Sequence, residues 1–290
     1  MTRRTGAPAR AVVPPPWSAL RRRLAVLAAG IAGASACGAT PQSATAPPPS
    51  RGSSEQQSTS EYDLARDAFQ AGRLRDALGH VRKAIEFNGD NADAHYLGAV
   101  VLLNFCALDE RSTDCRYNEA EAEARKALDA QADLRDAKNT LGVILIHEKR
   151  YDDAIAVLKP LANDMLYGSP EKSWGNLGWA YLERGQVDEA IDALQRAVAA
   201  QPLFCVGNYR LGLAFAAKGD AKAAREALTR ALDTPQPACK GLQDAFFERG
   251  KIEQKLGLAD DARRDLAHCR DLNAQTPVGV RCGSLLQSSP

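Results

Sequence analysis

The chain has 290 residues, of which 45% are hydrophobic and 25% are charged, the proportions of a soluble protein. Its 37 basic and 36 acidic residues leave a formal net charge of +1, which excludes the strongly basic balance of a nucleic-acid-binding protein. The length suits one or two ordinary domains, or a single array of repeats.

The first 36 residues have the composition of a signal peptide for export. They contain six arginines and no acidic residue, and they end in the apolar run Leu24–Ala36. This run of about 13 residues is too short to cross a bilayer as a helix. Removal of residues 1–36 leaves an excess of five acidic residues, so the mature chain does not attract nucleic acid. The long stretch before Arg21 indicates either an extended basic region or a translation start at Val12, Val13 or Leu20.

Cys37 follows the apolar run directly and is the predicted site of lipid attachment. Ala34, Ser35 and Ala36 precede it and resemble the lipobox of bacterial lipoproteins, whose cysteine receives a diacylglycerol. Gly38 follows it, where an Asp would favour retention in the inner membrane. We therefore expect a covalent lipid on Cys37 as the only bound group, and an anchor in the lipid bilayer at the periplasmic face of a Gram-negative outer membrane. The alternative is a secreted protein without lipid, whose signal peptide ends near a cysteine.

Residues 37–57 are a predicted disordered tether between the anchor and the folded part. They are rich in Pro, Ser, Thr and Gln and contain no bulky apolar residue, so they cannot bury a core. A flexible segment of about twenty residues has an r.m.s. reach on the order of 25 Å. This length is enough to hold a domain clear of a lipid surface.

From residue 58 onward the chain repeats with a period of 34 residues. In the clearest copy, residues 171–204, four residues have the i, i+3, i+4, i+7 spacing of one helix face and three line a second helix. These residues are Trp174, Leu177, Gly178 and Tyr181, followed by Ala190, Leu194 and Ala197. Together with Pro202 they occupy the signature positions of the tetratricopeptide repeat, which this segment resembles. Gly178 and Ala190 are small where the two helices cross, and Gly185 allows the turn between them.

The same frame predicts six helix-turn-helix repeats and therefore an all-α fold, a right-handed superhelix. The predicted bounds are 58–91, 91–134, 135–168, 171–204, 205–238 and 243–276, followed by a C-terminal tail at 277–290. The last copy is the most degenerate, as expected of a capping repeat. In the second copy, Gly98 and Ala120 are 22 positions apart instead of 12, which indicates an insertion over residues 105–116.

Seven cysteines are present, and six remain if Cys37 carries lipid. Disulfides persist in exported proteins. Because each repeat of an array contacts only its neighbours, we expect cysteines that are neighbours in sequence to pair. The predicted pairs are Cys106 with Cys115, Cys205 with Cys239, and Cys269 with Cys282. A metal site is the competing interpretation, but no pair has the spacing of zinc ligands, and unpaired thiols are the other alternative.

The sequence contains no recognisable catalytic motif. The four histidines, His80, His95, His147 and His268, fall in separate repeats without a metal-binding spacing such as H-E-x-x-H. Acidic residues gather at helix starts, where they suit the helix dipole. We therefore expect no enzyme, no metal and no small-molecule substrate; an accessory hydrolase with hidden activity is the alternative.

The concave wall of such an array is made by positions 2, 5, 9, 12 and 13 of each first helix. The residues that we assign to this wall are Tyr62, Phe69, His95, Ala99, Leu102, Leu103, Asn139, Val143, Ile146, Trp179, Leu182, Tyr209, Leu213 and Phe247. An exposed apolar wall of this length indicates a partner, most simply an amphipathic helix. In this frame Trp174 packs in the core and Trp179 points into the groove. A frame shifted by one residue would instead place the assigned residues in the core.

An acylated array of six such repeats with exported cysteines resembles the pilotin lipoproteins of type IV pilus systems, in particular the myxobacterial Tgl type. The segments that carry the resemblance are NDMLYGSP (163–170), GNLGWAY (175–181) and PLFCVG (202–207). It extends over residues 58–282, and the long N-terminus and the insertion depart from it. The resemblance implies an outer-membrane lipoprotein that supports assembly of the secretin pore of the pilus, with the secretin as its protein partner. The alternative function is a general repeat scaffold for protein complexes of the cell envelope.

Overall fold

The computed structural model describes residues 51–288, which form helices and turns with no β-strand. The all-α fold predicted from the sequence is thereby confirmed. The predicted signal peptide, the lipidation site Cys37 and the first part of the predicted tether lie outside the described residues.

Thirteen α-helices and one four-residue helix occupy this part of the chain. Six antiparallel pairs are α1 (Arg51–Gln70) with α2 (Leu74–Phe87), α3 (Ala92–Leu108) with α4 (Tyr117–Ala130), α5 (Arg135–His147) with α6 (Tyr151–Ala162), α7 (Pro170–Glu183) with α8 (Val187–Ala200), α9 (Cys205–Lys218) with α10 (Ala221–Leu232), and α12 (Gln243–Lys255) with α13 (Ala259–Leu272). The short α11 (Pro237–Lys240) lies between the fifth and sixth pairs, and α14 (Pro277–Ser288) follows the sixth.

Helix α1 begins inside the segment predicted to be a disordered tether. Residues 51–57 are its first two turns, so the prediction of disorder is wrong for them. The Ser58 hydroxyl is buried, donates to the Ala84 carbonyl at 2.8 Å and accepts from the Asn91 amide at 2.8 Å. Once Ser58 fixes the helix against α2, each further turn adds backbone hydrogen bonds without a new nucleation step.

In five of the six repeats a glycine of the first helix lies where the two helices cross closely, and the first repeat has Ala65 at this position. Gly178 of α7 faces Leu194 of α8, and Gly212 of α9 faces Leu228 of α10. The turn that follows contains a residue of positive φ, for example Gly185 at +84°. In the third repeat that position is Lys149, at +62°.

Each second helix packs against the first helix of the next repeat, and successive first helices also contact one another. Contacts join α1 to α3, α3 to α5, α5 to α7, α7 to α9 and α9 to α12, whereas the second helices of successive repeats do not pack directly on one another in the described part of the chain. First helices that lie closer together than second helices curve the array. They therefore form its concave wall.

The insertion in the second repeat is partly helical. Helix α3 continues to Leu108, so only residues 109–116 of the predicted insertion form a loop. A disulfide between Cys106 and Cys115 closes this loop, and Asp114 accepts from Arg75 of the preceding repeat at 2.8 Å. The loop thus gains order from one cross-link and one ion pair rather than from a core of its own.

Two further disulfides lie in the C-terminal half. Cys205 at the start of α9 is bonded to Cys239 of α11, and Cys269 of α13 is bonded to Cys282 of α14. The three disulfides are the pairs expected from the sequence. The last one holds α14 against α12 and α13, so the predicted tail is a capping helix up to residue 288.

No helix among residues 51–288 is long and apolar enough to cross a membrane. Across the same residues, no group of three or more His, Cys, Asp or Glu side chains is placed to hold a metal ion.

Candidate functional site

The structure divides the predicted wall residues into two groups. Nine keep partly exposed side chains: Tyr62, Phe69, Leu103, Asn139, Val143, Trp179, Leu182, Tyr209 and Leu213. Five are buried, so their assignment to an open groove is wrong: His95, Ala99, Leu102, Ile146 and Phe247. The exposed wall is therefore shorter than the sequence predicts.

His95 shows why the second repeat contributes little to the wall. Only 2% of its surface is exposed, and its ring bonds to the Glu123 carboxylate at 2.5 Å and to the Gly89 carbonyl at 2.9 Å. The hydrogen bond to Glu123 raises the pKa of His95, against the opposing effect of burial. His95 is thus a structural link between α3 and α4.

Phe247 is buried for a different reason. Helix α14 lies in the segment predicted to be a tail and covers the end of the wall, and Arg281 of α14 lies 4.5 Å from the centre of the Phe247 ring. Lys251 approaches the same ring at 5.0 Å. The accessible wall therefore ends before α12.

An aromatic run crosses the wall from the second repeat to the fourth. The Tyr117 and His147 rings are stacked, with centroids 5.1 Å apart, and the His147 ring meets Trp179 edge-on at 5.2 Å. The His147 side chain is exposed on one side, and its partial burial lowers its pKa; Glu110 opposes this effect and the charge of Arg210 adds to it. His147 is therefore neutral at physiological pH, as suits a ring packed against an aromatic neighbour.

A polar chain reaches the same tryptophan from the other side. The Asn176 amide donates to the Asn139 side-chain oxygen at 3.0 Å, and Arg210 donates to the Asn176 side-chain oxygen at 2.9 Å. The Arg210 guanidinium lies 4.2 Å from the centre of the Trp179 ring. We refer to Asn139, His147, Asn176, Trp179 and Arg210 as the central patch.

Apolar side chains flank the central patch on the same three first helices. Val143 of α5, Leu182 of α7 and Leu213 of α9 are half-buried. The Trp179 indole N–H donates to Glu183 at 3.1 Å, which fixes the ring orientation. This combination of a rigid aromatic ring, half-buried aliphatic groups and one cation suits a peptide, and it offers no nucleophile and base pair for catalysis.

Trp174 occupies the opposite face of α7. It contacts the main core but is only half-buried, because its ring also lines a surface cavity of about 490 Å³ between α6 and α8. The Arg196 guanidinium lies 4.7 Å from the ring centre and covers it. The expectation that Trp174 is a core residue is thus only partly right, whereas Trp179 lies on the wall as expected.

Sequence reasoning missed three members of the central patch. His147 stands at position 13 of its repeat, one of the wall positions, and its place beside Trp179 could have been found there. Asn176 and Arg210 stand at position 6, which the wall rule omits. Arg210 reaches the patch because its long side chain extends from α9 across to α7.

The chain is similar in sequence to a repeat family and to a protein of type IV pilus assembly. The family model for the tetratricopeptide repeat matches residues 62–110, 116–165 and 176–242, more than half of the chain. The type IV pilus assembly protein PilF of Pseudomonas aeruginosa is 31% identical over 146 residues, which are 47% of this chain and 54% of PilF. The aligned region thus spans about half the length of that relative.

Two solved structures share the fold over most of its length. The crystal structure of PilW, a widely conserved type IV pilus biogenesis factor, superposes with a TM-score of 0.65 at 20% identity, covering 78% of this chain and 98% of PilW. The structure of Pseudomonas aeruginosa PilF superposes with a TM-score of 0.62 at 18% identity, covering 80% of this chain and 99% of PilF. At these identities the superpositions show a common fold.

Proposed function

The chain belongs to the tetratricopeptide repeat family, and on that premise we propose that it is a non-enzymatic scaffold for type IV pilus assembly, which binds a helical segment of a partner protein on its concave wall. The observation that carries this proposal is the 31% identity to the pilus assembly protein PilF over 146 residues. Repeat folds serve many unrelated complexes, so the fold alone would not favour one of them.

The proposed partner is the secretin of the pilus, whose assembly at the outer membrane the protein would support as a Tgl-like pilotin. The proposed anchor is a lipid on Cys37. The central patch supports the partner class, because one aromatic ring among half-buried aliphatic groups is the arrangement of a binding hot spot for an amphipathic helix. The anchor rests on the sequence around Cys37.

A deletion strain tests the role. It should lose the SDS-resistant secretin multimer, and the wild-type gene should restore it. Trp179→Ala should fail to restore it, because loss of a central aromatic anchor costs about 2 kcal/mol or more of binding, on the order of thirtyfold in affinity. Normal secretin multimers in the deletion strain would contradict the proposed role and favour a general envelope scaffold.

Trp174→Ala is the matched control, since it removes the same residue type from the opposite face of the same helix. Trp174→Ala should restore the secretin multimer if the variant protein accumulates to the wild-type level. Equal loss of function in the two variants at equal protein level would show that the wall is not the binding surface. For the anchor, Cys37→Ala should release the protein from outer-membrane fractions, and its retention after a salt wash would count against lipid attachment.

A further inference from the structure

Arginines that are partly buried between helices of this protein generally have carboxylate partners. Three pairs illustrate the pattern: Arg135 with Asp164 at 2.7 Å, Arg225 with Glu253 at 2.9 Å, and Arg249 with Asp265 at 2.6 Å. Such pairing is expected, because a charge removed from water loses hydration that only an opposite charge or hydrogen bonds can replace.

Arg210 departs from this pattern. Its Nη1 donates to the Asn176 side-chain oxygen at 2.9 Å and to the Gly175 carbonyl at 3.4 Å, and its guanidinium stacks on Trp179. All of these neighbours are neutral, and none of the ion pairs among residues 51–288 involves Arg210. Glu183 is the nearby carboxylate, but its Oε1 accepts from the Trp179 indole. Burial lowers the pKa of Arg210 to about 10, so the side chain still carries its charge at neutral pH.

Resting on the proposed function, we propose that Arg210 is the anion anchor of the wall, and that the bound segment is an amphipathic helix that presents an Asp or Glu carboxylate to this guanidinium. Both hydrogen bonds of Arg210 use Nη1, which leaves the edge of Nε and Nη2 for a bidentate carboxylate. Stacking on Trp179 and bonding to Asn176 hold the guanidinium in place before the partner arrives. This preorganisation lowers the cost of ordering the side chain on binding.

The surroundings specify the rest of the ligand. Val143, Leu182 and Leu213 border the central patch and are half-buried, so the acidic residue should be flanked by apolar residues on one helix face. Charge complementarity at Arg210 is local, since the chain outside the predicted signal peptide carries a small excess of acidic residues. A generally basic or purely apolar helix would leave the cation unpaired.

The test uses synthetic peptides of about 18 residues, five helical turns, that tile the secretin and the other envelope proteins of the pilus. Each acidic peptide is paired with a version in which Asp and Glu are replaced by Asn and Gln. The acidic peptide that binds the wild-type protein should bind Arg210→Met about thirtyfold more weakly or worse. Replacing the acidic residues of the peptide should weaken its binding to the wild-type protein by a similar factor. Combining the neutral peptide with Arg210→Met should weaken binding little further, as expected of a directly coupled pair.

Arg196→Met is the matched control, since Arg196 stacks on Trp174 on the opposite face of the array. It should leave peptide affinity unchanged. A thermal melt without peptide gives a second readout: Arg210→Met should keep or raise the melting temperature, because it removes a partly buried charge that has no carboxylate partner. A clear fall in melting temperature with unchanged affinity would assign Arg210 a purely structural role and overturn the proposal.

The outcomes separate this inference from the proposed function. Secretin peptides that bind equally well to wild type and to Arg210→Met would overturn the anchor and leave the secretin as partner. Acid-dependent binding of peptides from another envelope protein, with none from the secretin, would support the anchor and contradict the secretin. Failure of every acidic peptide to bind would overturn the anchor.

Discussion

Substitution of Gly178 by alanine tests the close helix crossing at a glycine, which five of the six repeats contain. A Cβ atom at Gly178 would lie 2.5 Å from Cγ of Leu194, 3.0 Å from its Cδ2 and 3.2 Å from the Ala190 carbonyl oxygen. Leu194 is fully buried, so it has no space to move into, and the carbonyl belongs to the backbone of α8. The extra methyl group must therefore push α7 and α8 apart.

Gly98 provides a matched control at the same position of the second repeat. There the second helix has Ala124 in place of a leucine, and the nearest atom to an added Cβ is Cγ1 of Val81 at 3.1 Å. A shift of a few tenths of an ångström by one side chain would relieve this contact. The two substitutions are chemically identical and differ in the neighbour that they meet.

The expected magnitudes follow from two opposing effects. Replacing glycine by alanine inside a helix stabilises by about 1 kcal/mol, whereas overpacking a buried crossing costs about 1–3 kcal/mol. Because Leu194 and the α8 backbone both resist the shift, Gly178→Ala should be destabilising by about 1–2 kcal/mol. Gly98→Ala should be neutral or stabilising by up to about 1 kcal/mol.

The assay combines chemical denaturation, followed by circular dichroism, with hydrogen exchange resolved by peptide. Repeat arrays need not unfold in one step, so the local measurement is essential. Exchange in α7 and α8 should rise in Gly178→Ala and stay unchanged in Gly98→Ala. If Gly178→Ala were as stable as Gly98→Ala, the crossing would not depend on the missing side chain, and the packing argument would fail.

Three further substitutions test other local features. Lys149→Gly should raise stability by about 0.5–1 kcal/mol in a denaturant titration, because Lys149 has a positive φ of 62° that glycine adopts without strain; lower stability would show that the lysine side chain contributes more than the strain costs. His95→Gln should change the pH dependence of the melting temperature: the hydrogen bond to Glu123 raises the pKa of His95 above its ordinary value of 6.5, so the stabilisation is complete below that value and is lost as the pH rises through the raised pKa. The wild type should therefore lose stability relative to His95→Gln over this window, and parallel pH profiles would contradict the assignment. Replacing Cys106 and Cys115 together by serine should cost about 2–3 kcal/mol in the loop-entropy treatment and raise exchange in residues 109–116 alone; a general loss of helix content would mean that the insertion supports the whole array.

The repeat frame could be predicted because it depends on short-range spacing. Small residues at helix crossings and turn glycines recur every 34 residues, so Gly178, Ala190 and Gly185 identify both helices of their repeat without any long-range information. The cysteine pairs could be predicted for the same reason, since an array restricts contacts to neighbours. Helix α14 was missed because a single helix after the last repeat has no period to reveal it.

The site was harder to predict because it depends on which side chains of each first helix stay exposed in the packed array. Position rules place Trp179 correctly, yet they also select Ala99 and Leu102, which are fully buried. Arg210 joins the wall through the reach of its side chain toward Asn176, a contact that no spacing rule contains. Burial and pairing of single side chains therefore required the three-dimensional structure.

The claim that the concave wall holds the pilus partner is tested most directly by photo-crosslinking in living cells. A photoreactive residue is placed at Leu182, on the wall beside Trp179, or at Gln195, which is exposed on the second helix of the same repeat. We expect that Leu182 captures the secretin, that Gln195 does not, and that Arg210→Met abolishes capture at Leu182. Capture of the secretin from Gln195 and not from Leu182 would place the partner on the opposite face and contradict binding at the concave wall.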